Sequence, residues 1–540
     1  MGKIIEIPVG KRKPLYRFLE ILPGAMSYGM IIMLFVFSAI NPVFGSIYLL
    51  ILIAVTLLKA IGTAFRTVQG HKTVEAAMRV DWSKRYDDLK HLHDAYERLR
   101  DEKSSGYHFR EHVENVKKML VGNKNDYPDP EKVYHAVIMT VYNEGLDTLR
   151  PTVEALRDTN FPNKKIIFVV AYEERGGEET KRNVKILKEE FRDVFYDFVL
   201  SEHPKDLPGE IVGKGPNLTF AGEKLTEFVK KKHLPVENII VTSLDSDNRM
   251  HKNYLDAVAY EFVVHRERQN LTYQPVSIFT NNVWDAPAPS RVVAISNSFF
   301  NVITTMKPHA LRNFASHSQP FLALREMNFW SKRTIVEDGH QYWRSLFFFN
   351  GNYDVLPIRI PIYQDAVISE TFLETLTAQF VQLRRWDYGA SDVAYVGSEL
   401  FSKDREISFW LLLPKFVRLL DGHVTCAYMA PIVAFGGWVP MLMNMSSRGM
   451  VAFNLPNIVS IVQTIALIGV IVTIWTSFKM LPRRPEKYKK KKSFEMVVQW
   501  LLMPIIALFY TSLAAFYSQT RLLTGRYMEK FDVTKKVVKK

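Results

Sequence analysis

The chain has 540 residues, a formal net charge of +14 and a single cysteine, Cys426. This length allows two or three domains with a sizeable core, and one cysteine excludes an intramolecular disulfide framework and a cysteine-based zinc site. Much of the positive charge flanks very apolar stretches, which indicates an anionic membrane surface and not nucleic acid as a partner.

Two apolar stretches near the N-terminus predict a pair of membrane spans. Residues 21–40 and 44–65 are each about 20 residues long, the length that a helix needs to cross a bilayer core. Asn41-Pro42-Val43 separates them, and the basic residues at both outer ends favour a cytoplasmic location for those ends. The alternative is a buried helical hairpin of a soluble protein. No small-residue cleavage site follows the apolar run, so we expect no cleaved signal peptide.

A polar segment follows, dense in charges of both signs. Apolar side chains recur in it at helical spacing, which predicts helices that link the membrane to a catalytic domain. These side chains are Trp82, Tyr86, Leu89, Leu92, Tyr96 and Leu99. Pro128-Asp129-Pro130 marks the next boundary.

From residue 132 to about residue 260, predicted strands alternate with predicted helices. This alternation predicts a Rossmann-like, mostly parallel sheet with helices on both faces, and ligands then bind at the carboxyl ends of the strands. The predicted strands cover residues 133–141, 165–171, 195–200 and 238–244, and the predicted helices cover residues 147–158, 178–194 and 217–232.

Polar clusters occur where three of these strands end: Tyr142, Asn143 and Glu144; Glu173 and Glu174; and Asp245 and Asp247. Two carboxylates one residue apart at a strand end are suited to hold one hard cation, Mg²⁺ or Mn²⁺, on a diphosphate. The alternative for this pair is an Asp-rich turn that caps a helix.

The other clusters are suited to the remainder of a nucleotide. Asn143 and Glu144 can hydrogen-bond a base or ribose, although both residue types also cap helices. Lys214, in the predicted turn 213–217, is suited to a phosphate or base, and the alternative is a solvated lysine.

Two further motifs lie in the second half of the predicted domain. Glu337 and Asp338 follow an apolar, strand-like run and precede a predicted helix over 341–349, so one carboxylate is placed as a general base or as a helix cap. Residues 353–360 predict a short strand that Pro357 confines to a sheet edge.

The second motif lies on a predicted helix over 371–386. Gln382 and Arg385 share one face of this helix, with Trp386 beside them. An indole face stacks on sugars and a guanidinium stabilises a departing diphosphate, while a structural Arg-Trp pair is the alternative.

The C-terminal region predicts more membrane segments. Residues 401–420 predict an interfacial amphipathic helix broken at Pro414. Apolar spans follow at 424–444, 458–480 and 496–518, and residues 483–492 carry seven Lys or Arg, which predicts a cytoplasmic loop. Five full spans would place the basic tail outside, whereas its charge favours the cytoplasm. Either the last stretch is re-entrant or surface-lying, or the tail is an exception to the charge rule, and we expect a cytoplasmic tail.

The ordered motifs Tyr142-Asn143-Glu144, Asp245-Ser246-Asp247, Glu337-Asp338 and Gln382-x-x-Arg385-Trp386 resemble those of the membrane-bound family-2 glycosyltransferases. This is the group of cellulose, chitin and hyaluronan synthases, and the resemblance covers about residues 130–395. It implies an α/β GT-A catalytic domain embedded between transmembrane helices. It also implies inverting transfer from a nucleotide-sugar, with Mg²⁺ or Mn²⁺ as cofactor.

The same resemblance implies roles for individual residues. Asp245 contacts the nucleotide, Asp247 ligates the metal together with Asp245, and Asp338 is the general base. Donor binding falls to Tyr142, Asn143, Glu144, Glu173 and Lys214, and the acceptor and diphosphate side to Glu337, Gln382, Arg385 and Trp386. The chain departs from the family at Glu173, where an Asp is usual, and at Leu383, and it shows no clear counterpart of the gating loop of cellulose synthases.

The sequence thus predicts a multi-pass inner-membrane protein with a cytoplasmic hexosyltransferase domain, which transfers sugar from a UDP-sugar to a hydroxyl of a glycan or lipid acceptor. Its role would be surface polysaccharide or glycolipid synthesis. The alternatives are a polyprenyl-phosphate monosaccharide transferase and a non-catalytic membrane scaffold. The predicted segments are a two-helix transmembrane hairpin (1–66), a cytoplasmic helical linker (67–129), the GT-A domain (130–398), an interfacial helix (399–422), a C-terminal transmembrane region (423–520) and a basic tail (521–540).

Overall fold

A computed structural model describes residues 4–444 and 450–530. At its centre is one sheet of eight strands. In chain order these are β1 (Tyr134–Val141), β2 (Ile166–Glu173), β3 (Asp197–His203), β4 (Ile239–Asp245), β5 (Arg249–Met250), β6 (Leu271–Phe279), β7 (Ser318–Pro320) and β8 (Asp354–Gln364). Their order across the sheet is β3-β2-β1-β4-β7-β6-β8-β5.

The sheet is mixed but mostly parallel. β1 pairs in parallel with β2 and β4, β2 with β3, and β6 with β8, whereas β7 runs antiparallel to both β4 and β6, and β5 to β8. Every residue of β2 is buried, as expected for a strand covered by helices on both faces. The predicted fold class, an α/β domain with a GT-A-like, mostly parallel sheet between apolar helices, is confirmed.

Twenty α-helices lie in the described part of the chain. Before β1 come α1 (Pro14–Ile40), α2 (Pro42–Met78), α3 (Trp82–Asp88), α4 (Leu92–Arg100) and α5 (Phe109–Val121). Within the α/β domain lie α6 (Leu146–Arg157), α7 (Gly177–Phe191), α8 (Lys214–Lys231), α9 (Tyr254–Val264), α10 (Ala288–Thr305), α11 (Phe321–Glu326), α12 (Glu337–Phe348), α13 (Phe372–Asp387) and α14 (Asp392–Leu400). The last are α15 (Phe409–Phe435), α16 (Val439–Met443), α17 (Met450–Met480), α18 (Lys490–Val498), α19 (Met503–Ile506) and α20 (Leu513–Thr524).

The core explains why the polar segment before β1 forms helices. Trp82, Tyr86 and Leu99 are buried in the same apolar cluster as Val137 of β1 and Phe168 of β2. The helices α3–α5 therefore cover one face of the sheet, and their helical spacing reflects that buried side.

Several elements of the second half of the domain were not predicted. These are β5, β6, β7 and α10 (Ala288–Thr305). Strand β8 is longer than the predicted 353–360, and its Pro357 lies opposite Gln274 of β6. The short β5 pairs with β8 only at Ile362 and Tyr363, so Pro357 interrupts no ladder on that side.

Four helical segments are long and apolar enough to cross a membrane: Pro14–Ile40, Pro42–Met78, Phe409–Met443 and Lys490–Thr524. The predicted stretch 458–480 falls within α17, and some side chains of this helix lie outside the described part of the structure. The break between α1 and α2 is a single residue, Asn41, whose side chain accepts a hydrogen bond from the Val43 backbone N–H at 2.9 Å.

Two features of the predicted interfacial helix over 401–420 are wrong, namely its start at residue 401 and its break at Pro414, while its interfacial location stays a prediction. The helix begins at Phe409 and continues without a break through Pro414 to Phe435. Pro414 lies in the second turn, where it removes one backbone hydrogen bond, and the apolar residues around it keep the helix continuous.

The last apolar stretch begins and ends beside the α/β domain. Before it, the Trp284 indole donates to the Pro482 carbonyl at 3.1 Å. After it, the Met528 backbone N–H donates to the Tyr388 hydroxyl at 3.1 Å, and Lys530 forms a parallel bridge with Val212. Residues 525–530 thus return to the same domain from which the stretch departs.

The aromatic centre of the sheet supplies a stability test. Phe168 is fully buried, with ring centroids 5.3 Å from Phe195 and 4.9 Å from Phe198. Phe168→Ala should destabilise the protein by about 3–5 kcal/mol, because it leaves a cavity in a close-packed core. Thermal unfolding of the purified protein would show this as a lower Tm. The matched control is Phe372→Ala, because that side chain is 56% exposed and its loss should leave the Tm nearly unchanged.

Candidate functional site

One cavity of about 960 Å³ opens at the carboxyl ends of β1, β2 and β4 and extends to helices α15 and α19. All twelve side chains to which the sequence analysis assigned a role line this cavity, whereas Glu174, from the cluster after β2, does not. The twelve are Tyr142, Asn143, Glu144, Glu173, Lys214, Asp245, Asp247, Glu337, Asp338, Gln382, Arg385 and Trp386.

The Asp pair lies at the end of β4. Asp245 is the last residue of that strand, opposite Thr140 of β1, and its side chain is 31% exposed. Asp247 is more enclosed: one of its carboxylate oxygens accepts from the Asp365 backbone N–H at 3.3 Å, and its carbonyl accepts from the Asn281 amide at 3.1 Å. These two hydrogen bonds hold the turn after β4 in place, and both acids line the cavity.

Lys214 connects the Asp pair to the second acidic motif. Its Nζ lies 2.5 Å from Asp245 Oδ1 and 3.8 Å from Glu337 Oε1. Burial by itself would lower the pKa of Lys214, but the charges of Asp245, Glu337 and Asp338 hold it above the usual range of a lysine. The predicted turn 213–217 is wrong here, because helix α8 begins at Lys214 and fixes it in the first turn.

Glu337 and Asp338 form the first turn of α12, four residues earlier than the predicted helix start. Ile335 and Val336, which precede them, do not form a strand. These two apolar side chains instead pack into a small core cluster just before the helix. Burial raises the pKa of Glu337 to about 7, with Lys214 opposing and Asp338 reinforcing the shift. Burial also raises the pKa of Asp338, and the charges of Lys214 and Arg385 oppose it.

The turn after β1 is held by its own carboxylate. Glu144 accepts a hydrogen bond from the Tyr142 backbone N–H at 2.8 Å. Burial raises the pKa of Glu144, and this hydrogen bond opposes the rise. Thr180 of α7 donates to the Tyr142 carbonyl at 3.0 Å, so the turn is fixed from both sides, with Asn143 exposed toward the cavity.

Glu173 is less available than its position suggests. Its carboxylate lies 3.1 Å from Arg175 and 3.2 Å from His203, which also contacts Glu210 at 3.0 Å. Burial would lower the pKa of His203, but Glu173 and Glu210 raise it above its usual value. Glu173 therefore lines the cavity as part of a charge network already formed within the protein.

Helix α13 forms another wall of the cavity. Gln382 is buried and accepts from the Gln379 amide at 3.0 Å, whereas the Trp386 ring is 37% exposed and lies 6.1 Å from the Phe279 ring. A ring held on one side and open on the other is suited to stack against a sugar.

Several polar residues of the cavity were missed by the sequence reading: Asn217, Arg312, Asp387, Asp392, His423 and Lys530. Most belong to loops or helix ends without a recognisable motif. Asp387 follows Trp386 directly, and that adjacency was a usable signal. Burial raises the pKa of Asp387 to about 7, opposed by a hydrogen bond from the Cys426 thiol at 3.7 Å.

The residues present fit a divalent cation shared with a substrate. Within residues 4–444 and 450–530, no group of three or more His, Cys, Asp or Glu side chains is placed to hold a metal ion. Asp245 and Asp247 nevertheless supply two carboxylates on one cavity wall, and Mg²⁺ is commonly bound by one or two carboxylates plus phosphate oxygens.

No protein-family model and no curated protein sequence matches the chain. Solved structures with a similar fold include a mannosyltransferase from Pyrobaculum calidifontis in complex with GDP-Man and Mn²⁺. It has 13% identity and a TM-score of 0.40, and the match covers 80% of this chain and 98% of that one.

Two further structures are similar. S. aureus TarS 1–349, in complex with UDP-GlcNAc, has 12% identity and a TM-score of 0.36 over 73% of this chain and 93% of its own. GalNAc-T7 with UDP, GalNAc and Mn²⁺ has 12% identity and a TM-score of 0.31 over 54% of this chain and 56% of its own. At these TM-scores the likenesses assign no role to any residue of this chain.

Gly176, in the turn after β2, packs against the turn after β1, and its replacement tests how tightly the cavity is built. A Cβ at Gly176 would collide with the Tyr142 carbonyl oxygen, whereas a Cβ at Gly145, in the turn after β1, meets nothing within 4 Å. Gly176→Ala should therefore displace the turn and destabilise the protein by about 1–3 kcal/mol. Gly145→Ala is the matched control, and equal Tm values for the two variants would contradict the tight packing.

Proposed function

We propose that this chain is a membrane-embedded, inverting glycosyltransferase of the family-2 type that transfers a sugar from a nucleotide-sugar to an acceptor hydroxyl. The observation that carries the proposal is the convergence of four separate motifs on one cavity, with Lys214 joining the strand-end Asp245 to the Glu337-Asp338 pair. A sugar nucleotide needs such a set: polar groups for the nucleoside, cations for the diphosphate and a carboxylate for the acceptor.

In this proposal the donor lies across the strand ends. Asn143 and the turn that contains it face the base and ribose, Asp245 faces the nucleotide, and Lys214 and Arg385 face the diphosphate. Asp247 and Asp245 would hold Mg²⁺ or Mn²⁺, which when bound neutralises charge on the diphosphate oxygens. A UDP-sugar is the donor we would test first.

Asp338 is the proposed general base. It accepts the proton of the acceptor hydroxyl as that oxygen bonds to the anomeric carbon, while the bond from that carbon to the diphosphate oxygen breaks. Attack opposite the leaving group inverts the configuration. Burial keeps the carboxylate poorly solvated and raises its pKa, which makes it a stronger base than an exposed Asp. Trp386 and Gln382 line the acceptor side.

The membrane segments support a cell-membrane location with the α/β domain in the cytoplasm. The seven Lys or Arg of residues 483–492 favour the cytoplasmic side. Tyr488 within this segment hydrogen-bonds Asp285 of the α/β domain, so the domain and the basic segment lie on the same side. We propose synthesis of a surface polysaccharide or glycolipid as the role.

The base assignment is tested by Asp338→Asn. Transfer should fall by about 10²–10⁴-fold while nucleotide binding stays nearly intact, because the amide cannot accept the proton. Asp101→Asn, with an 81% exposed carboxylate outside the cavity, is the control. An active Asp338→Asn enzyme would favour transfer to a polyprenyl phosphate, whose acceptor oxygen is already anionic. No turnover of any nucleotide-sugar by the wild type would favour the scaffold.

The same carboxylate predicts the pH dependence. Because the pKa of Asp338 is raised and the base works only when deprotonated, kcat should fall as the pH drops through that raised pKa. This loss should occur at a higher pH than the value of about 3.9 for a free Asp. A kcat–pH profile measures it, and an acid limb at or below the ordinary Asp value would contradict the burial argument.

Metal dependence is tested by a chelator and by Asp247→Asn. Transfer with labelled UDP-sugars should stop when a chelator is added and return with excess Mg²⁺ or Mn²⁺. Asp247→Asn should require a higher metal concentration for half-maximal activity, because one of two carboxylate ligands is lost. Full activity in chelator would remove the proposed metal role of Asp247.

A further inference from the structure

The cavity has a second cation-bearing wall that the proposed chemistry does not use. Arg312 lies in the loop between α10 and β7 and lines the cavity together with Leu419 and His423 of α15. Its guanidinium lies 5.8 Å from the centre of the Trp343 ring. Within residues 4–444 and 450–530, Arg312 forms no side-chain hydrogen bond or ion pair, and its charge interacts only at longer range, with Asp392, Tyr342 and Arg418.

A partly buried guanidinium that forms no ion pair is unusual, because removing a charge from water is costly unless a counter-charge replaces the lost solvent. Asp392 is the acid whose charge acts most on the pKa of Arg312, but its carboxylate is already hydrogen-bonded to His340 Nδ1 at 2.7 Å. Burial lowers the pKa of Arg312, although a guanidinium stays charged under all physiological conditions. Arg312 therefore holds a positive charge in the cavity that the protein leaves largely uncompensated.

More cations continue from Arg312 toward the membrane. Arg418 of α15 donates to the His309 carbonyl at 3.1 Å, which fixes the loop that carries Arg312 against the helix. Burial lowers the pKa of Lys307 in the same loop, and the charges of Arg66, Arg418 and Lys59 add to this effect. Lys59 already pairs with Asp421 at 3.0 Å, whereas the charges of Arg66, Arg418 and Lys307 repel one another, and an anion bound near them would offset that repulsion.

Apolar side chains of two candidate membrane helices also line the cavity. They are Leu419 of α15 and Met503 and Ile506 of α19, and both helices belong to segments long and apolar enough to cross a membrane. Phe300 of α10 lines the cavity too, beside the polar Ser296, Asn297 and Asn301 of the same helix. A cation and apolar side chains in one cavity match a molecule with an anionic group attached to a hydrocarbon chain.

We propose that the acceptor is an anionic amphiphile, whose phosphate or carboxylate binds Arg312 and whose hydrocarbon chain lies along α15 and α19. Arginine suits this role because its planar fork of donors matches both anions. The inference rests on the proposed glycosyltransferase activity and adds the class of acceptor to it. Asp338 lines the same cavity, so the reacting hydroxyl of such an acceptor would face Asp338.

A binding experiment tests the anion site independently of turnover. Purified full-length protein is titrated with dioctanoyl phosphatidic acid and with dioctanoylglycerol, which share their tails and differ in the phosphate. The wild type should bind the phosphate-bearing lipid at least about tenfold more tightly, and Arg312→Gln should lose most of that preference. Arg312→Lys should keep part of it, because the charge remains.

The control variant is Arg266→Gln, because Arg266 is an exposed arginine that pairs with Asp126 at 3.0 Å, outside the cavity. It should behave as the wild type. Inorganic phosphate and glucuronate serve as competitors. If either competitor displaces the lipid at a concentration equal to that of the lipid, the site binds free anions, and the proposal of an amphiphilic acceptor is overturned. Equal binding of the two lipids would overturn it as well.

A transfer experiment then separates the inference from the proposed function. With the donor found in the nucleotide-sugar panel, dioctanoyl phosphatidylglycerol should be a better acceptor than dioctanoylglycerol. Arg312→Gln should raise its KM about tenfold while hydrolysis of the donor by water stays unchanged. Equal use of both lipids, with no effect of Arg312→Gln, would overturn the inference and leave the transferase intact. Failure of the wild type with every donor would overturn the transferase, and the lipid titration would still decide the anion site.

Discussion

The site depends on one buried ammonium group. Lys214 Nζ lies 2.5 Å from Asp245 and 3.8 Å from Glu337, and it connects the first turn of α8, the end of β4 and the first turn of α12. Without this charge, Asp245, Glu337 and Asp338 would face one another across a poorly solvated space and repel. In the proposed function this arrangement would require further cations, because a bound diphosphate would add negative charge to a wall that one lysine only partly neutralises.

The sheet explains why residues far apart in sequence meet. Three parallel strands, β1, β2 and β4, end at one edge and deliver Asn143, Glu173 and Asp245 to it. The other wall comes from helices α12 and α13, which follow the antiparallel part of the sheet. In the proposed function, nucleotide recognition and acceptor recognition would thus be built by different halves of the domain, and α15 and α19 contribute the remaining cavity wall.

The sequence predicted the first half of the domain well because each buried parallel strand is an unbroken apolar run bounded by charged helices. Strand direction then placed the polar clusters together. The second half was harder for physical reasons: β7 has only three residues, Ser318–Pro320, and its sequence is polar. Ile335-Val336 has the composition of a strand but precedes a helix, and Pro414 lies inside a continuous helix. Arg312 and Asp392 belong to no periodic pattern, so only the tertiary structure shows that they face the cavity.

Residues 525–530 connect a candidate membrane helix to the cavity. Tyr527 and Met528 pack against a cluster with Val336 and Tyr388, and Lys530 bridges to Val212 at the cavity wall. These residues follow directly on α20, the end of a helical segment long and apolar enough to cross a membrane. A displacement of that helix would therefore be transmitted to the cavity wall through only a few residues, so the shape of the cavity is mechanically coupled to the position of α20.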